Sequence, residues 1–118
     1  MLGISFIVGH VIVGLYFLIN AYSHLFKSSD MVGYAASKKV PSPRLAIIVS
    51  GLLLLVAGLS FVSGMYMFYG IIAALVFMIP VTIMMHNFWA ETDPMAKMNQ
   101  RISFLKNVAI IGFLLMLL

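Results

Sequence analysis

Residues 45 to 90 contain no Asp, Glu, Lys or Arg, and neither do residues 1 to 26 or 107 to 118. A chain built of such runs cannot cover itself with water-binding groups. Only 8% of its 118 residues are charged and 64% are hydrophobic, against about 25% charged in an ordinary soluble domain. Seven basic and three acidic side chains are too few for a disordered chain or a phosphate-reading face. With no cysteine, disulfides, thiolate metal sites and dithiol redox chemistry are excluded. The expectation is a single all-α membrane domain over 1–118.

A membrane span needs about 20 apolar residues, so the run from 45 to 90 must hold two helices. Ser63-Gly64-Met65 is the best turn signal within it. This predicts a polytopic four-helix bundle with helices near 3–25, 44–63, 66–89 and 101–118. The last is short: it either stops at the far interface or continues in a longer native sequence. The first reads as a span and not as a cleaved signal peptide, lacking a basic n-region and an A-x-A site.

The basic residues fall in two places. Lys27, Lys38, Lys39 and Arg44 lie between helices one and two, and Lys97, Arg101 and Lys106 lie where helix four begins. Four crossings bring both groups to one side, and the positive-inside rule makes that side cytoplasmic, with both termini outside, in a cell inner membrane. Tyr66, Phe68 and Tyr69 are expected at one headgroup layer, and Tyr22, Phe26, Phe88 and Trp89 at the other. Between helices one and two, Ser28-Ser29-Asp30 offers an N-cap and Pro41 and Pro43 a stop. The segment 30–40 is therefore expected as a short interfacial helix, with Met31, Val32, Tyr34 and Ala35 toward lipid and Lys38 and Lys39 toward water. Small residues should bring helices two and three together: Ser50, Gly51, Ala57 and Gly58 on one, Gly70, Ala73 and Ala74 on the other. Pro80 removes a backbone donor from helix three, and either kinks it for packing alone or opens a cavity beside His86.

Polar side chains inside a membrane are costly and mark candidate sites. Asn20 and His24 share a stripe on helix one; Thr82, His86, Asn87 and Trp89 end helix three; Gln100, Ser103, Lys106 and Asn107 open helix four. Asn20, His24, His86, Asn87 and Asn107 fall in the cytoplasmic half at about 1.5 Å rise per residue. The bland readings are interhelical glue for Asn20 and Asn107, headgroup contact for His24, snorkelling for Lys106 and a solvated loop for Glu91 and Asp93. His10 stands apart, in the outer half. No H-x-x-x-H or E-x-x-H pairing supports a metal, and no elbow motif supports a Ser-His-Asp triad. A quinone or another flat lipophilic ligand suits these residues better. Its carbonyl needs a donor such as His86, Asn107 or Lys106, and Asn107 or Lys106 is expected within hydrogen-bond or one-water reach of His86. Its ring needs walls such as Trp89, Phe17, Met84 and Met85.

Pro80-Val81-Thr82 leads into Met85-His86-Asn87-Phe88-Trp89, with Asp93-Pro94 after it and Phe104-Leu105-Lys106-Asn107 beyond. With Tyr34 to Pro43, Ser50-Gly51-Leu52-Leu53-Leu54 and Gly58-Leu59-Ser60, this order over most of residues 20 to 115 resembles the DoxX family of small four-helix membrane proteins. The resemblance implies an association with quinone and oxidative-stress responses, while distant relatives act as assembly chaperones. By motif, His86, Asn87, Trp89, Lys106 and Asn107 match the family's polar signature, and Asn20 and His24 match it more loosely. Two readings follow. One is a redox-associated accessory, more an aid to a partner than an enzyme, with a bound quinone and no intrinsic cofactor. The other is a structural or assembly protein with no small-molecule chemistry. A membrane or redox protein partner and a homo-oligomer are both open.

Overall fold

The charge-free runs become long helices because, away from water, a helix is the one segment that satisfies its own backbone. In the computed structural model, which describes residues 3–118, α1 (Ile4–Phe26) is followed by a short α2 (Ser29–Ser37). Then come α3 (Pro43–Ser63), α4 (Met67–Met85), a single 3-10 turn (Phe88–Ala90) and α5 (Pro94–Leu117). α1, α3, the stretch Met67–Ala90 and α5 are each long and apolar enough to cross a bilayer. The long axis of the molecule, 49 Å, matches the roughly 40–45 Å of a bilayer with its headgroup layers. Apolar side chains on the outside, such as Ile19, Leu59, Ile83 and Met116, are exposed where lipid would lie.

The turn between α3 and α4 falls where the sequence predicts it. Gly64 takes a left-handed conformation (φ 73°) and its N–H closes on the Ser60 carbonyl at 2.8 Å, a conformation that suits a residue without Cβ. Tyr66, Phe68 and Tyr69 stand exposed around this turn, and Tyr22 and Phe26 at the opposite end of the bundle.

Helix order in space is α1, α3, α4, α5. Two of the small residues pack at a different seam from the expected one. Gly51 and Gly58 of α3 face α1, where a Cβ would meet Leu25 and Leu18, and Gly14 of α1 lies against the backbone of Gly58 and Val62. Gly70, set against Ser60 and Ala57, serves the α3–α4 contact in the expected way, and Ala73 and Ala74 are buried on the same helix. The core beneath these contacts is Phe17, Leu54, Phe61, Met78 and Leu114, all essentially inaccessible.

Two boundaries differ from the sequence expectation. α4 ends at Met85, not at 89, and His86 already has a non-helical backbone (φ −116°, ψ 43°). α5 begins at Pro94, not at 101, because Asp93 caps it: its carboxylate accepts the Ala96 N–H at 2.9 Å and Pro94 occupies the first turn. The charges at Lys97 and Arg101 thus sit on exposed helix. α2 is also placed differently. Ala35 is buried, Tyr34 reaches the end of α4, and Lys38 pairs with Glu91. The short helix is folded across the end of the bundle: Ala35 is turned inward, and Tyr34, still exposed, hydrogen-bonds the end of α4.

Candidate functional site

Near their turn α3 and α4 touch closely; toward the basic end the space between them is open. A cavity of about 770 Å³ occupies it, walled by α1, the first half of α3, the second half of α4 and the middle of α5, with α2 across its end. This volume lies within the roughly 300–1,000 Å³ of small-molecule sites. Its walls are mainly apolar, with Leu53, Leu54, Phe77, Met78, Val81 and Met84 among them. Pro80 lines it on the same helix as Val76, whose carbonyl has no proline N–H to accept.

The polar groups come to this cavity in two layers. The interfacial layer holds His24 and His86, with Tyr34 from α2. Deeper lie Lys106 and Asn107, with Asn20 between the two depths, one turn of α1 from His24. Lys106 sets its ammonium 5.8 Å from the centroid of the Tyr16 ring, a cation–π distance, and Tyr16 lies about 12 Å along α1 from His24 at about 1.5 Å per residue. On α5, Asn107 lies about 10 Å beyond Gln100 by the same rise.

The interfacial layer is organised by a chain of hydrogen bonds that sequence reasoning missed. The Met85 carbonyl, left free at the end of α4, accepts the Tyr34 hydroxyl proton at 3.3 Å. Tyr34 in turn accepts from the side-chain amide N–H of Gln100. The Gln100 carbonyl faces Nδ1 of His86 at 2.8 Å. A carbonyl only accepts, so each link is oriented by the one before it, and His86 donates through Nδ1. Beside this chain, Lys38 Nζ donates to Asn87 Oδ1 at 2.7 Å and to Glu91 Oε1 at 2.9 Å. The hydrogen bond to Glu91 holds the Lys38 ammonium above the ordinary lysine pKa, against the opposing pull of desolvation.

Five of the sequence-predicted residues therefore meet around one cavity: Asn20, His24, His86, Lys106 and Asn107. The other two are placed elsewhere. Asn87 is engaged by Lys38, and Trp89 is turned outward, edge to face with Phe88 and Phe104 and 55% exposed. The cause is the early end of α4, which breaks the i, i+3, i+4 phase on which a shared face for His86 and Trp89 depended. The direct partner of His86 is Gln100, and not the expected Asn107 or Lys106. Glu91 is half-buried and paired, in place of a solvated loop position. Gln100 was visible as a polar helix-four residue; Tyr34 and Lys38 carried no signal beyond a hydroxyl and a charge on the short helix.

Asn107 is 4% exposed, and its amide makes no side-chain hydrogen bond among the described residues. Since no polar side-chain atom there is both fully enclosed and unpaired, the accessible part of that amide opens onto the cavity it lines. His24 donates Nδ1–H to the Asn20 carbonyl at 2.8 Å and packs edge-on against Phe77. Asn20 ties its own amide N–H to the Tyr16 carbonyl at 2.8 Å, leaving its Oδ1 free to accept. Among the described residues no three His, Asp or Glu side chains converge. The arrangement can hold a ligand with polar atoms at two depths and an apolar body between them.

The DoxX family model matches residues 5–87. The chain belongs to the DoxX family. The match takes in three of the four spans and the cavity residues from Tyr16 to His86; Gln100, Lys106 and Asn107 lie beyond it. No curated protein and no solved structure matches the chain.

Proposed function

We propose that this DoxX protein is a redox-associated membrane accessory that holds a quinone-like molecule in its cavity, with the basic end of the bundle in the cytoplasm of a cell inner membrane and both termini outside. The observation that carries this reading is a mainly apolar cavity of about 770 Å³ that receives polar side chains from α1, α4 and α5 at more than one depth. A six-membered ring with oxygens at opposite ends, plus a hydrogen bond of about 2.8 Å at each, spans roughly 10 Å between partner atoms. That is comparable to the rise of about 12 Å along α1 from Tyr16, over whose ring Lys106 lies, to His24, and of about 10 Å along α5 from Gln100 to Asn107. In this reading Lys106 and Asn107 donate to the deeper oxygen, His24 and His86 meet the interfacial one, and Phe77, Met78 and Met84 sandwich the ring. An isoprenoid tail leaves between α3 and α4 into lipid. The ligand supplies any redox chemistry; the chain's own residues bind and orient it and keep water out.

Native mass spectrometry of protein extracted with its surrounding lipid tests this. A bound quinone, lost in Asn107→Leu and retained in His10→Ala, is the expected result. His10 is the control because it bonds the Phe6 carbonyl of its own helix and packs on Phe6 and Phe61, away from the cavity. An empty cavity with a stoichiometric co-purifying protein would favour the assembly reading instead.

A further inference from the structure

From the hydrogen-bond directions around the two histidines we infer that the interfacial end of the cavity takes a ligand hydroxyl, so that the site prefers the reduced, hydroquinone form of its ligand over the oxidised form. This rests on the quinone-like reading above and adds a direction to it.

In a neutral imidazole one ring nitrogen donates and the other accepts. At His24 the donor is committed: Nδ1 lies 2.8 Å from the Asn20 carbonyl, which can only accept. At His86 it is committed as well, through the oriented sequence from the Met85 carbonyl to Tyr34, to Gln100 and then to Nδ1. Both rings are therefore left with Nε2 as a lone-pair acceptor. Both residues line the cavity, and neither Nε2 is an enclosed atom without a partner. A quinone carbonyl brought to this end would face two acceptors and no imidazole proton. A hydroxyl there can donate to either ring.

The deeper end can donate, through the Lys106 ammonium, while the Asn107 amide beside it offers both a donor and an acceptor. A hydroquinone oxygen also satisfies that end, since a hydroxyl accepts as well as it donates. The oxidised ring is satisfied at one end alone. Buried polar atoms left unmatched are strongly selected against, and one such mismatch is expected to appear as about a tenfold difference in affinity, the factor corresponding to 1.4 kcal/mol. Gln100 is the positioning residue in this scheme. It touches no ligand and acts by holding the His86 proton on Nδ1.

The test uses the full chain in phosphatidylethanolamine and phosphatidylglycerol nanodiscs at about pH 8, above the ~6.5 of an unperturbed imidazole. Binding of a decyl-benzoquinone, its hydroquinone kept reduced under anaerobic dithionite, and the dimethyl ether of that hydroquinone is read by native mass spectrometry. The hydroquinone should bind about tenfold tighter than the quinone, and the ether, which has no proton to give, no tighter than the quinone. Gln100→Leu should reduce the reduced-to-oxidised preference severalfold, while Gln100→Glu, which still accepts from Nδ1, should keep it. Quinone binding equal to or tighter than hydroquinone would overturn the inference and leave the quinone-like reading standing. An unchanged preference in Gln100→Leu would overturn it too, by removing the oriented His86. Binding of none of the three would overturn both.

Discussion

The amide of Asn107 lies in the cavity wall, 4% exposed, with no side-chain partner among the described residues. Leaving such a group unpaired typically costs about 1–3 kcal/mol, and an apolar side chain of similar volume removes that cost. Asn107→Leu is therefore expected to raise the stability of the ligand-free protein by about 1 kcal/mol, read by thermal unfolding in nanodiscs, while losing ligand. Lower stability in the ligand-free state would mean that Asn107 serves the bundle as glue. Lys38 makes a different kind of prediction. Its pKa is raised chiefly by the hydrogen bond to Glu91, so the folded state holds this proton more tightly than the unfolded chain does. The stabilisation is complete below the ordinary lysine pKa of about 10.4 and is lost as the pH climbs through the raised value. Wild type should melt above Glu91→Gln at pH 8, and the difference should vanish once the pH has climbed past the raised value. A difference that persists there would assign the effect of Glu91 to something other than its bond with Lys38.

Among the elements, α2 and the α1–α3 seam hold the cavity in shape. α2 is tied down by Tyr34 on the Met85 carbonyl and on Gln100, and by Lys38 on Asn87 and Glu91. It thereby covers the basic end of the proposed site while leaving the lateral side open. The α1–α3 seam depends on Gly14 and Gly58, whose backbones approach so closely that a Cβ on Gly58 would stand 3.1 Å from the Gly14 carbonyl. Backbone yields less readily than the end of a side chain. Gly58→Val is expected to cost about 1–3 kcal/mol by overpacking, whereas Gly112→Val, where nothing lies within 4 Å, should be close to neutral. Thermal melts of the two variants side by side check this, and equal melting points would mean that the seam relaxes at no cost.

For the whole molecule, the polarity of the bundle ties location to function. Lys27, Lys38, Lys39, Arg44, Lys97 and Arg101 all belong to the end that carries α2 and the α4–α5 connection, and the α3–α4 turn has no charge. The proposed orientation predicts that Ser63→Cys, in a chain with no native cysteine, is labelled by an impermeant maleimide from outside the cell. Labelling from the cytoplasmic side alone would invert the topology and move the cavity to the outer leaflet.

Charge-free length and the placement of basic residues were enough to read four membrane helices, the turn at Gly64 and the depth of the polar residues, because these depend on transfer from water to lipid, one residue at a time. Asn20, His24, His86, Lys106 and Asn107 were legible as candidates for the same reason: a polar group at that depth is expensive wherever it points. Tertiary structure decided where they point. The end of α4 at Met85, the outward turn of Trp89 and the capture of Asn87 by Lys38 follow from contacts between segments far apart in the chain. So does the proton direction at His86, which begins at a carbonyl on α4 and passes through α2 and α5 before it returns. Local periodicity carries no record of such a circuit, since each residue in it has ordinary local preferences and takes its role only from its neighbour across the bundle.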